Sequence, residues 1–336
     1  MELLGLTLPM VGLFVSFGFM VGVLFGFFGM GGAFLITPTL LILGYPAPVA
    51  IGSGLAFYFG TSVIAVMKHY DVGQVNYKLG AIMFVGLTIG IEAGRILVFW
   101  LEELGIATFI TGTAYVVLLG GIGLLFLHRA RGRADESTDG MSEGDIPEIA
   151  QRIQSYRVPP MVTLVSGGRA SAWTISGVGG VVGLVSGLLG VGGGFVRMPA
   201  IYYLIGTPLT VAVGTSLFAG LFSGAFGTFT YGLSGSVDLG VVSTLLIGSA
   251  LGARIGSAAT TMIDEEEVIV YFGAMMLLAS LAIALSEVAH YAGIAIFEVV
   301  SVALLVGSAF VVGGIVLYRV LAVVRAPGTD RTAGSE

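Results

Sequence analysis

The sequence predicts an all-α polytopic membrane protein built from two homologous repeats, and three observations carry that prediction. Hydrophobic residues make up 56% of the 336 and charged residues only 10%, with a mean hydropathy of +1.01. Soluble domains carry about a quarter charged residues, so a soluble fold has no way to hide this much apolar surface. Apolar stretches long enough to cross a bilayer, about 20 residues each, recur from end to end. A glycine-rich block also occurs twice. Lipid supplies no hydrogen-bond partners to bare backbone, so every spanning segment is expected to be a helix.

The first apolar segment, Pro9 to Phe28, lacks a basic flank and an Ala-x-Ala site. It is expected to belong to the fold and not to be cleaved as a signal peptide. It runs into "GVLFGFFGMGGAFLITP", Gly22 to Pro38, which aligns with "GLVSGLLGVGGGFVRMP", Gly183 to Pro199, at an offset of 161 residues. With one residue inserted the register continues at 162. "GYPAPVAIGSGL" from Gly44 lies on "GTPLTVAVGTSL" from Gly206, and Gly86, Gly90 and Gly94 lie on Gly248, Gly252 and Gly256. Three motifs in register indicate duplication, a common feature of transporter folds.

The glycine-broken segments, 9–44 and 173–205, would each be about 50 Å long as one straight helix. That is too long for one crossing of a ~30 Å core, so each is expected to fold back at its glycines as a hairpin dipping into the membrane. Segments 48–67, 79–100, 106–128, 209–231, 239–263, 268–287 and 292–318 read as helices, the last without a counterpart in the first half. The expected organisation is repeat 1 at 1–128, a polar linker at 129–172, repeat 2 with one extra C-terminal helix at 173–318, and a polar tail at 319–336. Within the linker, Ile146, Ile149, Ile153 and Tyr156 recur at helical spacing, as in a short interfacial helix.

Charge placement agrees with hairpins. They put Lys68, Lys78, the six linker arginines and Arg319, Arg325 and Arg331 on one side, and Glu102, Glu103, Asp238 and Glu287 on the other. This obeys the positive-inside rule, with linker and C-terminus cytoplasmic in a multi-pass cell-membrane protein. Three matching crossings per half make the repeats inverted.

Several chemistries are excluded or unsupported. The chain has no cysteine, which removes disulfides, thiolate catalysis and Cys-ligated metals. His69, His128 and His290 have no metal-binding spacing, so neither metal nor cofactor is expected. No His–Glu metal motif or Ser–His pair suggests an intramembrane enzyme, and nothing indicates nucleic-acid binding. A homodimer is allowed by the sequence and not required by it.

The chemistry concentrates at the two breaks. Gly29, Gly31 and Gly32 in the first, and Gly190, Gly192, Gly193 and Gly194 in the second, let bare amides approach a ligand. A half-helix starting just beyond each cluster aims unpaired amides and its positive dipole end at that point, a natural anion site. The sparser rows Gly18/Gly22/Gly26, Gly86/Gly90/Gly94 and Gly248/Gly252/Gly256 read instead as helix-packing faces. G-x-G-x-x-G fails at both blocks, where Phe34 and Phe195 hold the last position, and no Walker lysine follows.

Arg197 falls on Ile36 in the alignment, so packing symmetry does not demand it. An arginine inside a membrane segment is costly and points to function, here an anion contact; the alternatives are snorkelling or pairing with a carboxylate. Glu92 falls opposite Arg254, and Arg95 opposite Ser257. These charges read either as an ion pair between the halves, or as Arg95 or Arg254 contacting the anion with Glu92 carrying a proton. Ser53, Thr215 and Ser216 are candidate hydroxyl donors, against the alternative that they bond to their own helix.

At "GFFGMGGAFLITP" and "GLLGVGGGFVRMP", at "GTSL" (214–217) and at "GARIG" (252–256) the chain resembles the sulfite exporter TauE/SafE family of membrane permeases. The resemblance spans both halves. It implies secondary transport of small sulfur-containing anions: sulfite, thiosulfate or organosulfonates. The first half departs in having Ala33 where the second has Gly194, and "GSGL" (52–55) in place of "GTSL". The other reading is a permease or channel for a carboxylate, a metal ion or another solute. No ATP-binding motif is present, so an ion gradient or the substrate's own gradient is the expected driving force.

Overall fold

A computed structural model describes residues 2–3, 6–28, 33–69, 75–135, 158–163, 169–207, 209–259 and 265–325. Gly29, Gly31 and Gly32 lie outside the described residues, as does the helical spacing at 146–156. A short antiparallel pair, β1 (Glu2–Leu3) and β2 (Leu6–Thr7), leads into α1 (Leu8–Phe28), α2 (Ala33–Ile42), α3 (Ala47–His69), α4 (Tyr77–Glu103) and α5 (Ala107–Asp135). A second small pair, β3 (Met161–Thr163) and β4 (Arg169–Ser171), precedes α6 (Ala172–Leu189) and α7 (Gly194–Ala200), which continues as a π-helical turn, Ile201–Ile205. Then come α8 (Leu209–Leu233), α9 (Leu239–Ala259), α10 (Glu265–Ala292) and α11 (Ala295–Arg325).

The fold is all-α and polytopic. Among the described residues seven helices are long and apolar enough to cross a membrane: α1, α4, α5, α6, α9, α10 and α11. Helix α5 runs on to Asp135 and α11 to Arg325, because once a helix leaves lipid its polar residues can continue it. The two broken segments have unequal arms. Helix α1 has 21 residues and α6 has 18, against 10 in α2 and 7 in α7. The first arm is therefore the length of a crossing and the second about half of one.

Glycine rows zip the longest contacts. Gly18, Gly22 and Gly26 of α1 face Leu245, Ser249 and Ala253 of α9, and a Cβ on any of them would lie 2.2–2.6 Å from a carbonyl oxygen. Gly248, Gly252 and Gly256 answer from α9 against Val15, Phe19 and Val23. The same arrangement joins α4 to α6: Gly86, Gly90 and Gly94 meet Ser176, Gly180 and Leu184, while Gly179, Gly183 and Gly187 meet Met83, Leu87 and Ile91. The three rows read as packing faces are packing faces, and Gly179/Gly183/Gly187 is a fourth. Where lipid removes the hydrophobic drive for association, close backbone approach replaces it.

Two further helix pairs run antiparallel. On α3 and α8, Gly52 lies against Tyr231 and Ser236, Leu55 against Gly227, and Tyr58 against Gly220 and Gly224. On α5 and α10, Gly112 lies against Glu287, Gly120 against Ser280, and Gly123 against Gly273. Each pair joins segments that the sequence aligns with one another at an offset of 162.

Two matching caps tie these elements together. Asn76 Oδ1 accepts the Leu79 N–H at the start of α4 (3.1 Å), and the Asn76 N–H donates to Thr215 Oγ1 on α8 (3.1 Å). Asp238 Oδ1 accepts the Val241 N–H at the start of α9 (3.0 Å), and the Asp238 N–H donates to Ser53 Oγ on α3 (2.9 Å). An N-cap side chain takes one of the amides a helix start leaves unpaired. Asp238→Ala is therefore expected to cost about 1 kcal/mol, read as a lower thermal unfolding midpoint in detergent. Around the second cap Ala47, Ile51, Leu101, Ala107, Tyr231 and Val237 pack together, so the starts of α3 and α5 and the ends of α4 and α8 meet at one end of the bundle.

Candidate functional site

The site grows out of the break between α6 and α7. Gly190, Gly192 and Gly193 all have positive φ (+70°, +66° and +73°), which glycine alone adopts without steric cost. The chain folds back sharply there: a Cβ on Gly193 would lie 3.3 Å from Val182 Cγ1, eleven residues earlier.

Ending a helix inside an apolar medium leaves carbonyls without partners. Three hydroxyls from three other helices supply them. Tyr231 of α8 donates to Gly187 O at 2.6 Å, Tyr115 of α5 to Leu189 O, and Thr37 of α2 to Gly190 O at 3.4 Å. On the far side of the break, the amides of Gly192, Gly193 and Gly194 donate to no backbone carbonyl among the described residues. The Ser186 hydroxyl, buried one turn before the break, has no hydrogen-bond partner among the described residues either.

Arg197 sits one turn into α7 and is 0% exposed. Its Nε donates to Ser216 Oγ (3.2 Å), Nη1 to Ser223 Oγ (3.1 Å) and Nη2 to the Tyr58 hydroxyl (2.6 Å). Among the described residues no carboxylate pairs with it. A guanidinium has five N–H groups, so these three bonds leave two unused. A buried cation without a counter-charge is costly, because neutral oxygens replace only part of its hydration. Nη1 also lies 3.7 Å from where a Cβ on Gly193 would be, which puts the cation beside the free amides of the break.

Glycines clear the space. A Cβ on Gly192 would lie 2.1 Å from Tyr58 Cγ, and one on Gly220 would lie 2.1 Å from the Tyr58 hydroxyl and 2.3 Å from Arg197 Nη2.

The residues singled out in the sequence divide into those that meet here and those that do not. Gly190, Gly192, Gly193, Gly194, Arg197 and Ser216 come together. The two broken segments also touch: the Phe34 and Phe195 rings are 5.3 Å apart between centroids, and Thr37 reaches Gly190. Ser53 and Thr215, expected as hydroxyl donors to an anion, stand at the two helix caps, where their oxygens accept the amides of Asp238 and Asn76; a hydroxyl that accepts keeps its own proton to donate. Arg95 is held elsewhere, by Glu92 on its own helix (2.5 and 2.9 Å) and by Ser234 (3.1 Å). Ser234 stands eleven residues beyond Ser223, about 16 Å along the helix axis. Arg254 is exposed, so Glu92 pairs within its own helix and not across to Arg254. Position in an alignment says which residues are equivalent, not which face of a helix they occupy.

Tyr58 and Ser223 were missed, as were the capping hydroxyls Thr37, Tyr115 and Tyr231. Their signal was a polar group in the middle of an apolar stretch, weak for Ser223 and Thr37 because short hydroxyls can bond to their own helix, and weak for the tyrosines because an aromatic ring suits an apolar stretch by itself.

The family model for the sulfite exporter TauE/SafE matches residues 14–283 of this chain, from α1 into α10 and including the whole site. The probable membrane transporter protein YjnA of Bacillus subtilis (strain 168) is 28% identical, over 71% of this chain and 89% of its own length. The probable membrane transporter protein YunE of the same organism is 26% identical, over 79% of this chain and 93% of its own. The sulfite exporter TauE/SafE family protein 6 of Arabidopsis thaliana is 25% identical over 34% of this chain and 29% of its own. No solved structure matches the chain.

Proposed function

The chain belongs to the sulfite exporter TauE/SafE family of membrane transporters, and on that premise we propose that it is a secondary transporter carrying small sulfur-containing anions such as sulfite, thiosulfate or organosulfonates. The observation that carries this reading is Arg197, a fully buried cation with two N–H groups to spare and no carboxylate partner among the described residues. An oxyanion there would receive charge-assisted hydrogen bonds together with the free amides of Gly192, Gly193 and Gly194. In the first glycine cluster, Gly29, Gly31 and Gly32 are proposed to contribute the matching amides.

Two repeats, at 1–128 and 173–318, are proposed to rock about this site, exposing it to each side in turn. The aligned pairs α3/α8 and α5/α10 pack antiparallel, as an inverted arrangement would require. We place the protein in the cell membrane with the 129–172 linker and the C-terminus in the cytoplasm; a reporter fused to the C-terminus and found outside would overturn that orientation. The buried arginine argues against a metal cation as cargo, whereas a carboxylate remains the competing anion. Proteoliposomes assayed with labelled sulfite, thiosulfate, a sulfonate and a carboxylate separate these. Uptake of the carboxylate alone would refute the sulfur-anion reading.

Glu92 is proposed as the proton carrier, which requires its pair with Arg95 to open during the cycle. Glu92→Gln is expected to lose pH-driven uptake. Full retention of that uptake would remove Glu92 from the mechanism.

A further inference from the structure

We infer that the Tyr58 hydroxyl is the resident partner of Arg197 when the site is empty, and that it allows the unloaded transporter to return across the membrane. The inference rests on the anion reading of Arg197.

Of the three oxygens around Arg197, two belong to α8, Ser216 and Ser223, while Tyr58 comes from α3. Its bond to Nη2, at 2.6 Å, is the shortest of the three. Tyr58 is 1% exposed, and its ring is seated against Gly192 and Gly224. At Gly220 a methyl group would strike both the hydroxyl and Nη2. Three glycines on two elements therefore leave room for this one contact.

The physical need is specific to a transporter. A loaded site is compensated, because the anion balances the guanidinium. An empty site must change conformation with a bare buried cation, and each neutral acceptor lost raises the cost of that step. A phenol oxygen is a good acceptor that an anion can outcompete, since a charge-assisted bond is about twice as strong as a neutral one. An aspartate or glutamate at position 58 would neutralise Arg197 permanently. Tyrosine holds the cation without sealing the site against an anion.

The test separates two modes of flux. In proteoliposomes loaded with labelled sulfite, or thiosulfate, net efflux into anion-free buffer requires the empty transporter to return, whereas exchange against external anion does not. Tyr58→Phe keeps the ring and removes the acceptor. It is expected to slow net efflux about tenfold or more and exchange by a clearly smaller factor, and to lower the half-saturating anion concentration several-fold because an N–H is freed. If Phe destabilises the fold, 4-fluorophenylalanine installed at position 58 fills the para position with a far weaker acceptor and makes the same prediction. Equal losses of net efflux and exchange, or a weaker affinity, would overturn the role of Tyr58. Arg197→Gln in the same assay tests the premise: if it retained both fluxes, the anion reading would fall and Tyr58 with it. Loss of both fluxes in Arg197→Gln beside parallel losses in Tyr58→Phe would sink the Tyr58 role alone.

Discussion

Replacing Arg197 with glutamine is expected to reduce anion binding by about two orders of magnitude or more and to abolish transport, while the protein stays folded. The size follows from removing a charge and the charge-assisted donors that face the anion, each worth about 1.5–3 kcal/mol. Stability should move the other way. Among the described residues Arg197 is buried with only hydroxyl partners, so its desolvation is incompletely compensated, and a neutral amide of shorter reach removes that burden. The unloaded variant is expected to unfold at the same temperature as the wild type or higher. Thermal unfolding in detergent with and without sulfite reads both effects: the anion-induced rise disappears while the baseline holds. A variant with a lower baseline and an intact anion-induced rise would mean that Arg197 is structural. Arg197→Lys keeps the charge but replaces the planar fork with a point donor, so it should fall between the two.

The second large effect is expected at Gly192. Alanine there meets two penalties at once: a left-handed backbone, with φ of +66°, and a methyl 2.1 Å from Tyr58 Cγ. The first costs about 1–2 kcal/mol and the second about 1–3 kcal/mol in a packed interior. Gly192→Ala should therefore lower the unfolding midpoint clearly and eliminate transport, since a distorted turn misplaces the amides of Gly192, Gly193 and Gly194 that are proposed to hold the anion. Gly12→Ala is the control: a Cβ there meets nothing within 4 Å, and both stability and transport should be close to wild type. Equal behaviour of the two variants would show that the break tolerates side chains and that its glycines serve no geometric purpose.

Much of the fold was legible from composition because the bilayer restricts it. Backbone groups in lipid must be satisfied internally, so an apolar run of sufficient length becomes a helix whatever its neighbours do. The glycine rows were legible for a related reason: spacing of four places small residues on one helix face, and only close packing uses such a face. Arg197 stood out because a cation in an apolar segment has few innocuous explanations. Apart from Ser216, which was singled out and does meet Arg197, the hydroxyls were not legible. Ser53 and Thr215 were read as candidate donors to substrate, and that reading did not foresee that each oxygen accepts the amide of a distant helix cap. Tyr58 was not singled out at all. A serine or threonine satisfies itself as readily on its own turn as across an interface, while a tyrosine hydroxyl must reach beyond its own turn, and sequence does not say to which partner.

The sequence by itself determined that the chain is helical, that it crosses a membrane, that a helix breaks at the glycine cluster of 190–194, and that an arginine follows that break. Those are local properties, set by apolar run length, glycine density and the cost of charge in lipid. Only the tertiary structure decided which hydroxyls surround that arginine, that Arg95 and Arg254 stand apart from it, and that phenols from α5 and α8 cap the broken helix. Those depend on which faces of which helices meet. The meeting is set by backbone contacts between residues about ninety or more positions apart, which no local pattern encodes.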